Sequence, residues 1–165
     1  MPPIPTGVLL LNLGGPDSLD AVEPFLVNLF SDREIIQLPF GRLVQPLFAR
    51  ALSKARGPSV RRNYERIGGG SPQLPLTLAQ ADALESRLNR DGGAFRVRVG
   101  MRYWQPTIAS ALDDLAAEGV SRIVALPLYP QYSLATTGSS FNALAQALDA
   151  SATPPRPEVT SIEAY

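Results

Sequence analysis

Apolar residues run from Gly7 to Leu13, interrupted by Asn12 and closed by Gly14-Gly15-Pro16, which is the pattern of a buried parallel strand followed by a tight turn. Val22, Phe25, Leu26, Leu29 and Phe30 then recur at helical spacing up to Ser31-Asp32, with Ser18 or Asp20 as the cap and Pro24 in the first turn. From Arg33 to Arg62 the pattern loosens through Leu38-Pro39-Phe40, Leu43, Val44, Leu47, Phe48 and Leu52, with Lys54 and Arg56 leading to Gly57-Pro58. That insertion is longer than a connector requires. Thr77 to Leu88 predicts a helix through Ala81, Leu84 and Leu88, stopped by Asp91-Gly92-Gly93. Phe95, Val97 and Val99 alternate with Arg96 and Arg98, a strand with one wetter face and a position at the sheet edge. Pro106 opens a helix through Ile108, Leu112 and Leu115 that Gly119 closes. Val120 to Leu128 is a third strand, Ser139 to Leu148 a helix, and Glu158 to Ile162 a fourth strand after the Pro154-Pro155 loop. The order β-α-β-α-β-α-β, with an elaborated first crossover, makes an α/β fold: a four-stranded parallel sheet in a three-layer sandwich, with helices on both faces.

Ligands of open parallel sheets bind beyond the carboxyl ends of the strands. Three loops are predicted there: Gly14-Gly15-Pro16, Gly100 to Pro106, and Tyr129 to Ser140. The first has too few glycines for a dinucleotide fingerprint. The third offers the hydroxyls of Thr136, Thr137, Ser139 and Ser140 around Gly138, just before a helix whose free N–H groups attract a carboxylate or phosphate. The same hydroxyls also suit simple capping. Tyr64-Glu65-Arg66-Ile67-Gly68-Gly69-Gly70-Ser71-Pro72 is a second candidate, because three consecutive glycines cost backbone entropy and are plausible where the backbone approaches a flat ligand; an interhelical turn is the plainer alternative. Arg56, Tyr64, Arg102, Tyr103, Trp104, Tyr129 and Tyr132 supply the guanidinium and aromatic groups that an aromatic dianion would need.

Composition narrows the chemistry. The 165 residues include neither histidine nor cysteine, so the chain offers no imidazole base, thiol nucleophile or thiolate ligand. Fifteen basic and fifteen acidic residues cancel, giving no net field to draw in nucleic acid, and no nucleic-acid partner is expected. The run from Val8 to Leu13 is too short to span a bilayer or serve as a signal core, so a cytoplasmic protein is expected.

Taken in order, LLLNLGGPDSLDAVEPFLVNLFSDREIIQLP, YERIGGGSP, GMRYWQPTI and LPLYPQYSLATTGSS resemble the N-terminal half of the ferrochelatases, from Gly7 to about Tyr165. The resemblance implies a two-lobed fold with Rossmann-like, chelatase-like lobes, and a porphyrin held in a cleft. It implies insertion of Fe²⁺ into a porphyrin, protoporphyrin IX or coproporphyrin III, in haem biosynthesis, with iron as substrate and no tightly bound cofactor. Residues 1–165 would form the N-terminal lobe. The porphyrin-facing positions it implies are Leu13, Lys54, Arg56, Tyr64, Ser71, Arg102, Tyr103, Ser139 and Ser140. An apolar lip would occupy about 25–56, its 25–48 part touching a membrane surface in some members; core packing is the expectation for Leu26, Leu29 and Leu43. The family's catalytic histidine and glutamate would belong to a C-terminal lobe, the expected partner, leaving this chain without a catalytic or metal-ligating residue. Leu134 stands where some relatives carry an iron–sulfur ligand cysteine, so no cluster is expected. Gln105 replaces a histidine often seen before the proline, and Gln73 an apolar residue.

Metallation needs a base for the pyrrole protons; carboxylates such as Asp17, Asp20 and Glu23 could hold iron weakly, but the chain has no imidazole to share the proton work. The chain is therefore expected to be half of a catalytic cleft and inactive alone. Two alternatives are a free-standing porphyrin-binding module, homodimeric in imitation of two lobes, and an unrelated flavodoxin-like domain holding a phosphorylated ligand through Thr136 to Ser140.

Overall fold

The computed structural model describes residues 4–37, 41–151 and 156–165, with the backbone only for 41–43. The expectations placed on Leu38-Pro39-Phe40, the Leu43 side chain and the Pro154-Pro155 loop lie outside these residues. The chain divides into two compact units, one made of the residues up to Leu13 together with those from Pro75 onward, the other of Gly14–Leu74.

In the first unit the described residues form one parallel sheet of four strands. Strand β1 (Thr6–Asn12) pairs with β2 (Phe95–Met101) on one side and β3 (Arg122–Pro127) on the other, and β3 carries β4 (Glu158–Ser161). β1 is central, which explains why Val8 to Leu11 is apolar without alternation: both faces are covered. On one face Leu9, Leu11, Ile123 and Ala125 pack with Ile108, Leu112 and Leu115 of α4 (Ile108–Ala117) and Leu144 of α5 (Ser139–Ala150). The opposite parity of β1, with Val8 and Leu10 buried, ends in Asn12, whose Nδ2 donates to Thr77 Oγ1 of α3 (Gln73–Asn89) at 3.2 Å. This is the expected three-layer α/β fold.

β2 lies at the sheet edge, and α3 covers that edge chemically. Asn89 Oδ1 accepts from Phe95 N at 2.8 Å and Glu85 Oε2 from Val97 N at 2.6 Å, filling donors that an edge strand would otherwise present to water or to another chain. Arg98 joins Glu85 and Glu118, and Arg96 joins Glu118, which accounts for the charged alternation read from the sequence. α4 opens one residue later than Pro106, on Thr107, whose Oγ1 accepts from Ser110 N.

In the second unit α1 (Val22–Ser31) lies against α2 (Gly41–Arg66). The loosened pattern after Arg33 hid a helix of 26 residues that continues through Pro46 and Gly57-Pro58. An internal proline forfeits one N–H bond and crowds the carbonyl four residues back, about 3 kcal/mol in isolation, and a long helix packed along a partner absorbs that. Gln45, buried beside Pro46, ties the connection down: its Nε2 donates to Phe30 O and Ile36 O. Within the proposed lip Phe25 and Leu26 are buried and Leu29 half-buried, whereas Val44 and Leu47 are exposed. The helix ends where Gly69 N returns to Tyr64 O and the chain turns through Gly68 and Gly69, both at positive φ. No helix among the described residues is long and apolar enough to cross a membrane.

Candidate functional site

The strand order β2-β1-β3-β4 reverses direction at β1, so the crevice belongs beyond the carboxyl ends of β1 and its two neighbours. There the backbone folds over itself. Arg102 N donates to Asn12 O and Tyr103 N to Leu13 O, which swings the segment after β2 across the end of β1; Leu128 N donates to Leu11 O from the other side. Asn12 Oδ1 accepts from Leu13 N, so one side chain fixes both the turn at the strand end and the contact with Thr77.

This crossing brings together three of the residues singled out in the sequence. Arg102 Nε donates to Ser139 Oγ at 2.7 Å, Tyr103 Oη lies 3.2 Å from the same oxygen, and the Arg102 guanidinium stands 4.7 Å from the centroid of the Tyr103 ring. Ser139 is fully buried and Tyr103 nearly so, while Arg102 keeps partial access to solvent. A guanidinium oriented by a hydroxyl and an aromatic face is a fixed cation, suited to an anionic group on a planar ligand.

The loop expected between β3 and α5 differs from its sequence reading. Leu134–Gly138 is a turn of π-helix running straight into α5, in which Gly138 N bonds Ser133 O and Ser139 N bonds the carbonyls of Leu134 and Thr136. The N–H groups at Gly138 and Ser139 are thus occupied, and the anion site expected at the start of α5 is not formed there. The hydroxyls also face inward: Thr137, Ser139 and Ser140 are fully buried. Among the described residues Thr137 Oγ1, Ser140 Oγ and Tyr129 Oη reach no hydrogen-bond partner. Burial pushes the Tyr129 phenol up to about 12; the neighbouring Ser140 hydroxyl and the Arg102 charge moderate the shift without cancelling it, since Tyr129 and Ser140 do not complete a well-formed hydrogen bond. At neutral pH Tyr129 is a protonated donor and not a base.

In the second unit Tyr64 and Ser71 lie near Gly15. A Cβ on Gly15 would fall 2.5 Å from Ser71 Oγ and 3.8 Å from Tyr64 Oη, and one on Gly70 would fall 2.5 Å from Asp17 O. The glycines after β1 and before Ser71 are therefore required by close approach of two turns, which Ser71 N to Pro16 O at 2.7 Å ties together. Burial pushes the Tyr64 phenol up. Lys54 and Arg56 do not act as a pair: two residues apart on α2, they point roughly 200° apart around the axis. Lys54 lines a hollow with Leu19, Asp20, Val22 and Glu23.

Sequence reasoning missed Asn12 as a site residue. Its signal was available, a lone polar residue ending a strand buried on both faces. No group of three or more acidic, histidine or cysteine side chains is placed to hold a metal ion among the described residues.

A protein-family model described as Ferrochelatase matches residues 5–165. Curated ferrochelatases resemble the chain closely. That of Aquifex aeolicus (strain VF5) is 55% identical over 136 residues, covering 82% of this chain and 42% of the relative. That of Geotalea uraniireducens (strain Rf4) is 56% identical over 146 residues, covering 88% and 44%, and that of Synechocystis sp. (strain ATCC 27184 / PCC 6803 / Kazusa) is 52% identical over 138 residues, covering 84% and 35%. The chain thus spans less than half the length of these relatives.

Proposed function

This chain belongs to the ferrochelatase family, and on that premise we propose that it forms part of the porphyrin site of an enzyme that inserts Fe²⁺ into a porphyrin for haem synthesis. The observation that supports this most is the fixed cation at the strand ends, with Arg102 held by Ser139 over the Tyr103 ring. A porphyrin is a flat aromatic carrying two propionates, and a planar ligand of that kind calls for an oriented guanidinium beside aromatic and apolar surface. In our reading Leu13 and Arg102 touch the porphyrin, and Tyr103, nearly fully buried, orients the Arg102 guanidinium. Ser139, being buried, acts through Arg102 and not by direct contact, and Ser140 is equally buried.

Iron is the substrate, and proton removal from the pyrroles falls to groups of a C-terminal lobe, the partner of this one. The chain has no histidine to share that work, and Tyr129 at about 12 stays protonated. Leu134 offers no sulfur, so no iron–sulfur cluster is held through this position. We place the protein in the cytoplasm, with the exposed Val44 and Leu47 of α2 available for peripheral contact with a membrane.

The test is a titration of this chain with protoporphyrin IX and with coproporphyrin III, followed by the Soret band. A saturable shift at micromolar protein, weakened by Arg102→Leu, is expected, together with no zinc-porphyrin product from the chain alone. Absence of any shift refutes the porphyrin site, and turnover by the isolated chain refutes the assignment of proton chemistry elsewhere.

A further inference from the structure

Two adjoining hollows, of about 460 and 600 Å³, lie between α1 and α2 and share Asp20, Glu23 and Lys54. Both volumes fall in the range of small-molecule sites. Leu19, Val22 and Pro58 give the first an apolar floor, and Arg50 and Lys54 bring positive charge to the second. Arg61 is committed to Asp20, at 3.1 Å, and to the Leu19 carbonyl. Arg50, Lys54 and Glu23 form no ion pair among the described residues. After the internal pair is set aside, the groove carries two free cations against one free carboxylate. The N-terminal turn of α1 opens on the same groove and adds its partial positive charge.

Gly57 is the independent observation. It is buried, lies in the middle of α2, and lines the first hollow. Glycine costs a helix interior about 1 kcal/mol relative to alanine, so its presence needs a reason. Its φ is not left-handed, unlike those of Gly68 and Gly69, and a Cβ added to it would meet nothing within 4 Å. Relief of crowding before Pro58 does not demand it either, since the same helix carries Gln45 directly before Pro46. What the missing side chain leaves is room in the hollow.

We infer that the α1–α2 groove binds a small organic anion, a phosphate monoester or carboxylate with an apolar body, whose charge is met by Lys54 and Arg50 and whose body lies on Leu19, Val22 and Pro58 in the space left at Gly57. Glu23 accepts from a hydroxyl or N–H of the ligand. This site lies wholly within the second unit and does not involve the Arg102 cluster.

Phenyl phosphate, benzoate and inorganic phosphate are titrated into the isotopically labelled chain while backbone amide resonances are followed. Saturable shifts at Val22, Glu23, Gly57 and Arg61 with either aromatic anion are expected, with inorganic phosphate at least tenfold weaker because it lacks the apolar body. Gly57→Leu, with its folded spectrum retained, is expected to abolish the shifts while leaving the Soret titration unchanged. Lys54→Met is expected to weaken binding about tenfold, the loss of one charge-assisted hydrogen bond, and it carries the test should Gly57→Leu not fold. The proposal is overturned by the absence of saturation up to about 10 mM of both aromatic anions, by inorganic phosphate binding as tightly as phenyl phosphate, or by unchanged binding in Lys54→Met or in folded Gly57→Leu.

Discussion

Replacing Tyr129 by phenylalanine removes one oxygen, and the structure sets what that oxygen does at two pH values. The hydroxyl is buried without a hydrogen-bond partner among the described residues, so at neutral pH it is a cost: an unsatisfied polar group forfeits about 1–3 kcal/mol of solvation on folding. Tyr129→Phe is therefore expected to be neutral or to stabilise by about 1 kcal/mol near pH 7. At alkaline pH a second effect appears. The folded pKa is about 12, against 10.0 for an unperturbed phenol. Below pH 10 both states hold the proton and the shift has no consequence. Between 10 and 12 the unfolded chain releases it while the folded chain does not, so stability falls as pH rises. Near pH 11 the loss is about 1.4 kcal/mol, and it approaches about 2.7 kcal/mol above pH 12. Tyr129→Phe escapes this loss. Urea unfolding of both proteins at about pH 7 and pH 11 should show the difference in stability widening by about 1.4 kcal/mol in favour of the variant. A difference that stays constant, or an ultraviolet phenolate titration placing this tyrosine near 10, refutes the reasoning.

Ser139→Ala removes the oxygen that accepts from the Arg102 guanidinium and adjoins the Tyr103 hydroxyl, at a cost of about 2 kcal/mol and a fall in Tm of about 4–8 °C by thermal melting. Glu85→Ala uncovers Val97 N on the edge strand, whereas Glu85→Gln keeps an acceptor there; hydrogen exchange at the Val97 amide should quicken about tenfold or more in the first and much less in the second. Gly70→Ala forces a methyl group to within 2.5 Å of the Asp17 carbonyl, and a loss of about 1–3 kcal/mol is expected in urea unfolding of the second unit. If alanine is accepted there without loss, the two turns are not held in close approach.

The sheet was readable because its signals are dense and local. Gly7 to Leu13 is apolar on both parities, which only a central strand in a covered sheet requires, and the Arg96/Arg98 alternation marks an edge because charges there can reach Glu85 and Glu118. α2 was not readable in the same way. Its two prolines and its internal glycine, Gly57, are each a stop signal to a local reading, and the helix persists because α1 packs along it and Gln45 fastens its entry through bonds to residues 9 and 15 positions back. Local propensity was overridden by packing.

For the site, identity of residues was legible while direction was not. Arg102, Tyr103 and Ser139 stand out in sequence, yet 36 and 37 residues separate the serine from its partners, and only the sheet order shows that the loop after β2 crosses the end of β1 to reach it. The hydroxyl run Thr136 to Ser140 misleads in the opposite sense. A free helix start would aim such hydroxyls and N–H groups at solvent or ligand, but an extra π-turn before α5 moves the start back to Leu134 and rotates Thr137, Ser139 and Ser140 into the interior. One consequence is chemical. An anion that approaches this end of the sheet meets Arg102, held in place by a serine it does not touch, in place of a nest of N–H groups. If the porphyrin is held by Arg102 as we propose, Arg102→Lys, which keeps the charge but loses the planar fork and the Nε bond to Ser139, should weaken porphyrin binding nearly as much as Arg102→Leu. Full affinity in Arg102→Lys, read from the Soret titration, would show that net charge alone suffices and that the serine's hold on the guanidinium has no part in binding.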